Sequence, residues 1–207
     1  MQARHYFLFG LALAVIVTTI FGAVFMNRPY TYQGSQIDPP LQVGDMQLVD
    51  QDGNAFSKSA LLASGDVSAV LVFFGYTFCP DVCPVTLVEF KQVKAALGDN
   101  ARYVRFIFVT VDPARDNPER IKKHLAHYDP EFTGLTGDPE ALKEVMDDFM
   151  VFAAKGPVSE AGHYLVDHTS RVYVLDRNGE LGLTYSFGTG ADAITADIRQ
   201  MIKERKD

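Results

Sequence analysis

The stretch Ala69-Val70-Leu71-Val72-Phe73-Phe74 limits the fold more than any other part of the chain. It is an unbroken run of apolar, β-branched and aromatic residues, the pattern of a strand buried on both faces. Directly after it comes Gly75-Tyr76-Thr77-Phe78-Cys79-Pro80-Asp81-Val82-Cys83-Pro84, which holds the only two cysteines among 207 residues. Each cysteine precedes a proline and is pushed out of the α region, so the spacing predicts that the next helix begins at Pro84. Proline suits a first helical position, and Leu87, Phe90, Val93 and Leu97 continue one apolar stripe. The cysteines are thereby predicted on a strand-to-helix turn. The partial positive charge of the helix N-terminus favours thiolate there, the form that attacks disulfides and binds soft metals.

A second β-prone run, residues 103–111, completes a βαβ unit with parallel strands. It ends in Val111-Asp112-Pro113-Ala114-Arg115-Asp116. Ligands gather beyond the carboxyl ends of such strands, which places Asp112 near the cysteine turn. The plainer alternative is that Asp112 and Asp116 shape the loop and cap a helix. Asn117-Pro118 opens a helix with Ile121, Leu125 and Tyr128 on one face, leaving His124 and His127 among lysines toward solvent. Residues 132–136 form a short strand. Asp138-Pro139 then opens a helix with Leu142, Val145, Met146 and Phe149 at core spacing. Met146 and Met150 are soft donors by chemistry, but methionine at helical spacing is core packing. A strand over 151–154 leads into a long loop over 155–169, containing His163 and His168. A hairpin turns at Asn178-Gly179, and a last helix takes Ile194, Ile198, Met201 and Ile202 inward. Upstream, Asp52-Gly53 marks an N-terminal β-hairpin at the sheet edge.

Tyr6 to Met26 is a run of 21 residues without charge, about 31 Å as a helix and long enough to cross a bilayer core. It lacks a small-x-small exit, so a retained anchor is expected over residues 1–30, spanning about 6–26. Residues 27–40 are polar, with Gly34, Pro39 and Pro40, and read as a tether whose linker part is 31–40. The folded domain is expected over 41–207. Residues 1–30 carry two arginines and no acid, which leaves 17 basic against 26 acidic residues, a balance of −9. That excludes nucleic acid as a partner and suits a basic or metal-bearing protein. No Arg- and Ser-rich transit sequence precedes the apolar run, which points to a bacterial inner membrane with the domain on the periplasmic side.

Three chemistries fit the cysteine pair: an inert bridge, a dithiol oxidoreductase, or a metal site with a third ligand from elsewhere. A domain of this size hardly needs a staple. The usual redox signature has one residue fewer between the sulfurs. Two thiolates and one imidazole suit Cu(I), and accommodate Cu(II) with a further donor, whereas structural zinc calls for four protein ligands.

The cysteine stretch, Val111-Asp112-Pro113 with Arg115-Asp116, and Asp167-His168-Thr169-Ser170 together resemble the Sco/SenC family, over most of residues 41–205. These are membrane-anchored, thioredoxin-like copper proteins that serve assembly of cytochrome c oxidase. The resemblance implies a central mixed sheet flanked by helices, with Cys79, Cys83 and His168 as copper ligands and Asp112 as a supporting polar residue. It implies the copper-bearing subunit II of the oxidase as partner, with other copper chaperones or thiol reductants acting on the same pair. A thiol-disulfide reductase acting on a partner's cysteines is the alternative function.

Overall fold

A computed structural model describes residues 30–204 together with His5, Tyr6, Leu8, Gly10, Leu13, residues 15–19 and Phe21. The chain divides into two compact units, Met1–Thr31 and Tyr32–Asp207. In the first, the described residues between 5 and 21 are helical. The span expected over 6–26 lies in part outside the described residues, among which no helix is long and apolar enough to cross a membrane.

The second unit is built on β1 (Ser35–Gln42), β2 (Leu48–Asp50), β3 (Ala55–Phe56), β4 (Ala69–Gly75), β5 (Val104–Thr110), β6 (Thr133–Thr136), β7 (Ala153–Lys155), β8 (Val166–His168), β9 (Arg171–Asp176) and β10 (Glu180–Ser186). Its helices are α1 (Lys58–Leu62), α2 (Val82–Leu97), α3 (Pro118–Leu125), α4 (Pro139–Asp148) and α5 (Ala191–Glu204). Eight strands form one sheet in the order β1-β10-β9-β4-β5-β6-β2-β3, and β7 pairs only with β8. The sheet is mixed. β4 runs parallel to β5 and β5 to β6, while β9 lies antiparallel on the other side of β4. This is the helix-flanked, thioredoxin-like arrangement.

Every residue of β4 is buried, as its uniform apolar run requires. Successive side chains of a strand point to opposite faces, and both faces find aromatic partners. Phe74 meets Phe149 at 5.2 Å and Tyr173 at 5.7 Å between ring centroids. Phe73 meets Phe108 at 6.4 Å, on the face that also receives His168. α2 buries Leu87, Phe90, Val93 and Leu97 and packs against α5.

Three expectations are corrected. The polar stretch read as a tether instead ends in β1, paired antiparallel with β10. An edge strand tolerates Pro39 and Pro40 because half its N–H groups face solvent, and the register shifts between Gln36 and Leu41. The compact unit therefore begins at Tyr32 rather than Leu41, held there by the buried Asp197 carboxylate, which accepts from Gln33 N and Gly34 N at 2.9 Å. The helix after the cysteine turn begins at Val82, two residues before Pro84. A proline in the first turn loses no intrahelical bond, since those N–H groups have no acceptor within the helix, and Cys83 thus sits inside the helix. Finally, His168 closes β8 instead of ending an irregular loop.

Candidate metal centre

β4 and β5 leave the sheet side by side, tied where the Val111 N–H donates to the Gly75 carbonyl at 2.8 Å. Gly75 is needed at this point. A Cβ there would stand 2.7 Å from Cys83 Sγ, so only glycine lets that sulfur come down onto the strand end. Asp116 fixes the turn from below. Fully buried, its carboxylate accepts from Thr77 N at 2.9 Å, Thr77 Oγ1 at 2.6 Å and Thr110 Oγ1 at 2.8 Å. Its carbonyl accepts from Thr136 Oγ1 at 2.9 Å, so one residue joins the turn to the ends of β5 and β6.

Cys79 is 9% exposed and Cys83 is wholly buried, both as free thiols. His168 reaches them from β8, and the two sulfurs and an imidazole nitrogen lie within 4.8 Å of one another. Cys83 Sγ stands 3.6 Å from His168 Nε2. For metal–sulfur bonds of about 2.3 Å and metal–nitrogen bonds of about 2.05 Å, tetrahedral to trigonal angles set donors about 3.6–3.8 Å apart. The pair already has that separation. His168 Nδ1 lies 3.2 Å from the Thr169 carbonyl, and a proton held there leaves the Nε2 lone pair facing the sulfurs. The ring is held edge-on against Phe73 and Tyr76, at 6.1 and 5.8 Å.

The two thiols are unequal. The hydrogen bond from Cys83 holds Cys79 down to about 4, against the pull of burial and helped by the backbone N–H groups of Asp81 and Cys83. Cys83, which gives that bond and is buried beside the Cys79 charge, is pushed far up. The first turn of α2 contributes through its backbone N–H groups, but the neighbouring sulfur contributes more. The reduced site is thus one thiolate, one thiol and one imidazole, and a soft cation entering it has one proton to displace.

Among the described residues, no other aspartate, glutamate, histidine or cysteine joins this cluster. Asp112 is buried nearby but engaged elsewhere, accepting from Arg115 Nε and from the Tyr164 hydroxyl. His163 sits exposed in the loop between β7 and β8. His127 is exposed as expected, but His124 is not: it is half-buried between Phe108 and Tyr128, with Nε2 sequestered and burial pushing its pKa down. Met146 packs on the core, whereas Met150 is 63% exposed. Sequence reasoning missed Gly75, Tyr76 and Thr77, and left Asp116 with only a loop-shaping role. A glycine ending a buried strand directly before two cysteines was the available signal.

The family model described as SCO1/SenC matches residues 34–203. The chain is 38% identical over 138 residues to the SCO2-like protein of Rickettsia conorii, a match covering 66% of this chain and 65% of that protein, just under two thirds of its length. Among solved structures it is similar to Bradyrhizobium japonicum ScoI with copper bound, at 36% identity and TM-score 0.67, covering 81% of this chain and 98% of that one. It is also similar to yeast Sco1 with copper bound, at 27% identity and TM-score 0.69, covering 79% of this chain and 90% of that one.

Proposed function

The chain belongs to the SCO1/SenC family, and from that membership we propose that it is a copper carrier serving assembly of cytochrome c oxidase. Its cargo is held by Cys79, Cys83 and His168, and its recipient is the copper-bearing subunit II of the oxidase. The observation that carries the reading is the convergence of two sulfurs and one imidazole within 4.8 Å. That donor set is soft, which favours Cu(I) and takes Cu(II) with one added oxygen or nitrogen donor. Residues 6–26 anchor the chain in a bacterial inner membrane, with the folded domain in the periplasm. The charge-free run of 21 residues supports this placement.

In an oxidising compartment the pair closes reversibly to a Cys79–Cys83 disulfide, which blocks metal uptake until it is reduced. A second reading, thiol-disulfide reductase, is favoured by the inequality of the thiols. The Cys79 thiolate attacks a partner disulfide and forms a mixed disulfide. Cys83 then gives its proton to the first partner sulfur released and attacks Cys79, leaving Cys79–Cys83 oxidised and the partner with one thiol and one thiolate, which takes a proton from water.

Anaerobic titration of the reduced full-length chain in detergent separates the two. We expect one Cu(I) per chain and none for the oxidised chain. His168→Ala weakens Cu(I) in part and removes most Cu(II) binding, which depends more on nitrogen. If His168→Ala leaves both copper states and oxidase assembly intact while Cys79→Ser abolishes function, the reductase reading replaces the carrier.

A further inference from the structure

We propose that Arg115 is a positioning residue for the metal centre, clasping the loop that leads into His168 to the turn that carries the cysteines. The inference rests on the reading of Cys79, Cys83 and His168 as a copper-binding set. Arg115 stands in the loop after β5. Its Nε donates to the Asp112 carboxylate, and its Nη1 donates to the Tyr164 carbonyl at 2.9 Å. The Tyr164 hydroxyl donates to the other Asp112 oxygen at 2.9 Å, so Tyr164 is gripped at both its backbone and its side-chain end. The guanidinium carbon also lies 3.5 Å from the Tyr164 ring centroid, 4.9 Å from that of Phe78 and 5.6 Å from that of Tyr76. Phe78 and Tyr76 belong to the cysteine turn. Tyr164 stands two residues before β8, and His168 closes it. One planar cation therefore touches the cysteine turn, the end of β5 and the approach to His168.

The hairpin needs such a clasp. β7 and β8 share three residue pairs, Ala153 opposite His168 among them, and have no ladder to the eight-stranded sheet. An isolated two-stranded hairpin is marginal in water, so the place of His168 depends on the short run into β9, on the Thr169 N–H bond to the Phe152 carbonyl and on side-chain ties. Tyr76 provides one, bonded to the Val166 backbone. Arg115 provides another. Its ion pair with Asp112 is largely shielded, at 19% and 6% side-chain exposure, and its fork cannot be copied by lysine. Loosening the clasp leaves both sulfurs on their turn and first helical residues, so the loss falls on Cu(II), which relies on the imidazole.

The test uses Arg115→Lys and Tyr164→Phe in the full-length chain in detergent, with three readouts. These are NMR signals of the His168 ring in the reduced, metal-free protein, nitrogen hyperfine coupling in the Cu(II) EPR spectrum, and competition titrations of both copper states. For Arg115→Lys we expect broadened or split His168 ring signals, weaker nitrogen coupling and a Cu(II) affinity lower by about 10- to 100-fold. Cu(I) affinity changes far less. Tyr164→Phe shifts all three readouts the same way by a smaller amount, and it decides the matter if Arg115→Lys does not fold. Unchanged ring signals and Cu(II) affinity in the folded variants overturn the clasp and leave the copper reading standing. A wild-type chain that takes up neither copper state overturns the copper reading, and the ring signals of the metal-free variants then decide the clasp alone.

Discussion

Gly75→Ala adds one methyl group at the end of β4, into space already filled. The new Cβ stands 2.7 Å from Cys83 Sγ and 3.0 Å from ring carbons of Phe73 and Phe108. Non-bonded heavy atoms rest roughly 3.5–4.0 Å apart, so the sulfur or the strand end must retreat by about 1 Å. Both rings are buried, and β4 is paired on both sides, so Cys83 gives way first. Overpacking of this kind costs about 1–3 kcal/mol. At about 2–4 °C per kcal/mol for a domain of this size, Tm should fall by roughly 2–12 °C. The metal effect is of similar size. Metal–sulfur distances hold to about 0.2 Å, and disturbing the support of a metal ligand typically costs about 10- to 100-fold in affinity. We therefore expect Cu(I) affinity to fall by about 10- to 100-fold. The assay is a chelator competition titration beside thermal unfolding, with Gly182→Ala as control, since its added Cβ meets nothing nearer than Pro40 at 3.9 Å. A Gly75→Ala chain with wild-type Cu(I) affinity and Tm would falsify the packing argument.

Three further expectations follow from the same geometry. Because Cys79 is a thiolate above about pH 4, its alkylation by iodoacetamide should be fast and flat from pH 5 to 8 and slow only as pH falls below about 4, while Cys83 lags; a rate that climbs steadily through pH 7–9 contradicts the inequality of the thiols. Asp116→Ala strands the buried donor Thr110 Oγ1 and the partly buried donors Thr77 N and Thr77 Oγ1, and should cost about 2 kcal/mol or more in urea unfolding; a loss below about 1 kcal/mol removes Asp116 as the anchor of the turn. A reporter fused after Asp207 should be active only in the periplasm, and activity confined to the cytoplasm refutes the proposed orientation.

What the sequence made legible was whatever depends on local pattern. β4 announced itself by an uninterrupted apolar run, the β9–β10 hairpin by Asn178-Gly179, and α3 by Asn117-Pro118, where the Asn117 side chain does accept from Arg120 N. Cys79 and Cys83 stood out as the only cysteines of the chain, whereas His168 was singled out by the resemblance of Asp167-His168-Thr169-Ser170 and not by local pattern. The features that escaped depend on distant partners. β1 carries two prolines and is exposed at nearly every position, so only its ladder to β10 reveals it. β8 is three residues long and takes its register from β7. Asp116 and Gly75 matter through contacts with residues up to 39 positions away. His124 was a misjudged pattern rather than a hidden one: it follows Ile121 by three residues and precedes Tyr128 by four, which puts it on the apolar stripe of α3.

The division of the three donors between two sheets sets the order in which they are lost when the molecule opens locally. Cys79 and Cys83 stand on the turn and in the first turn of α2 that follow β4, a strand hydrogen-bonded along both edges and the most enclosed of the domain. Such strands exchange their amide hydrogens only on global unfolding. His168 hangs from a short ribbon whose opening requires only a few broken bonds. If the three donors hold copper as proposed, small fluctuations would free the nitrogen while both sulfurs keep their grip, and the complex would pass through a two-coordinate state more often than an empty one. On the proposed carrier role, a recipient offering its own nitrogen or sulfur at that moment would meet a cargo already part released, with no need to unfold the domain that holds it.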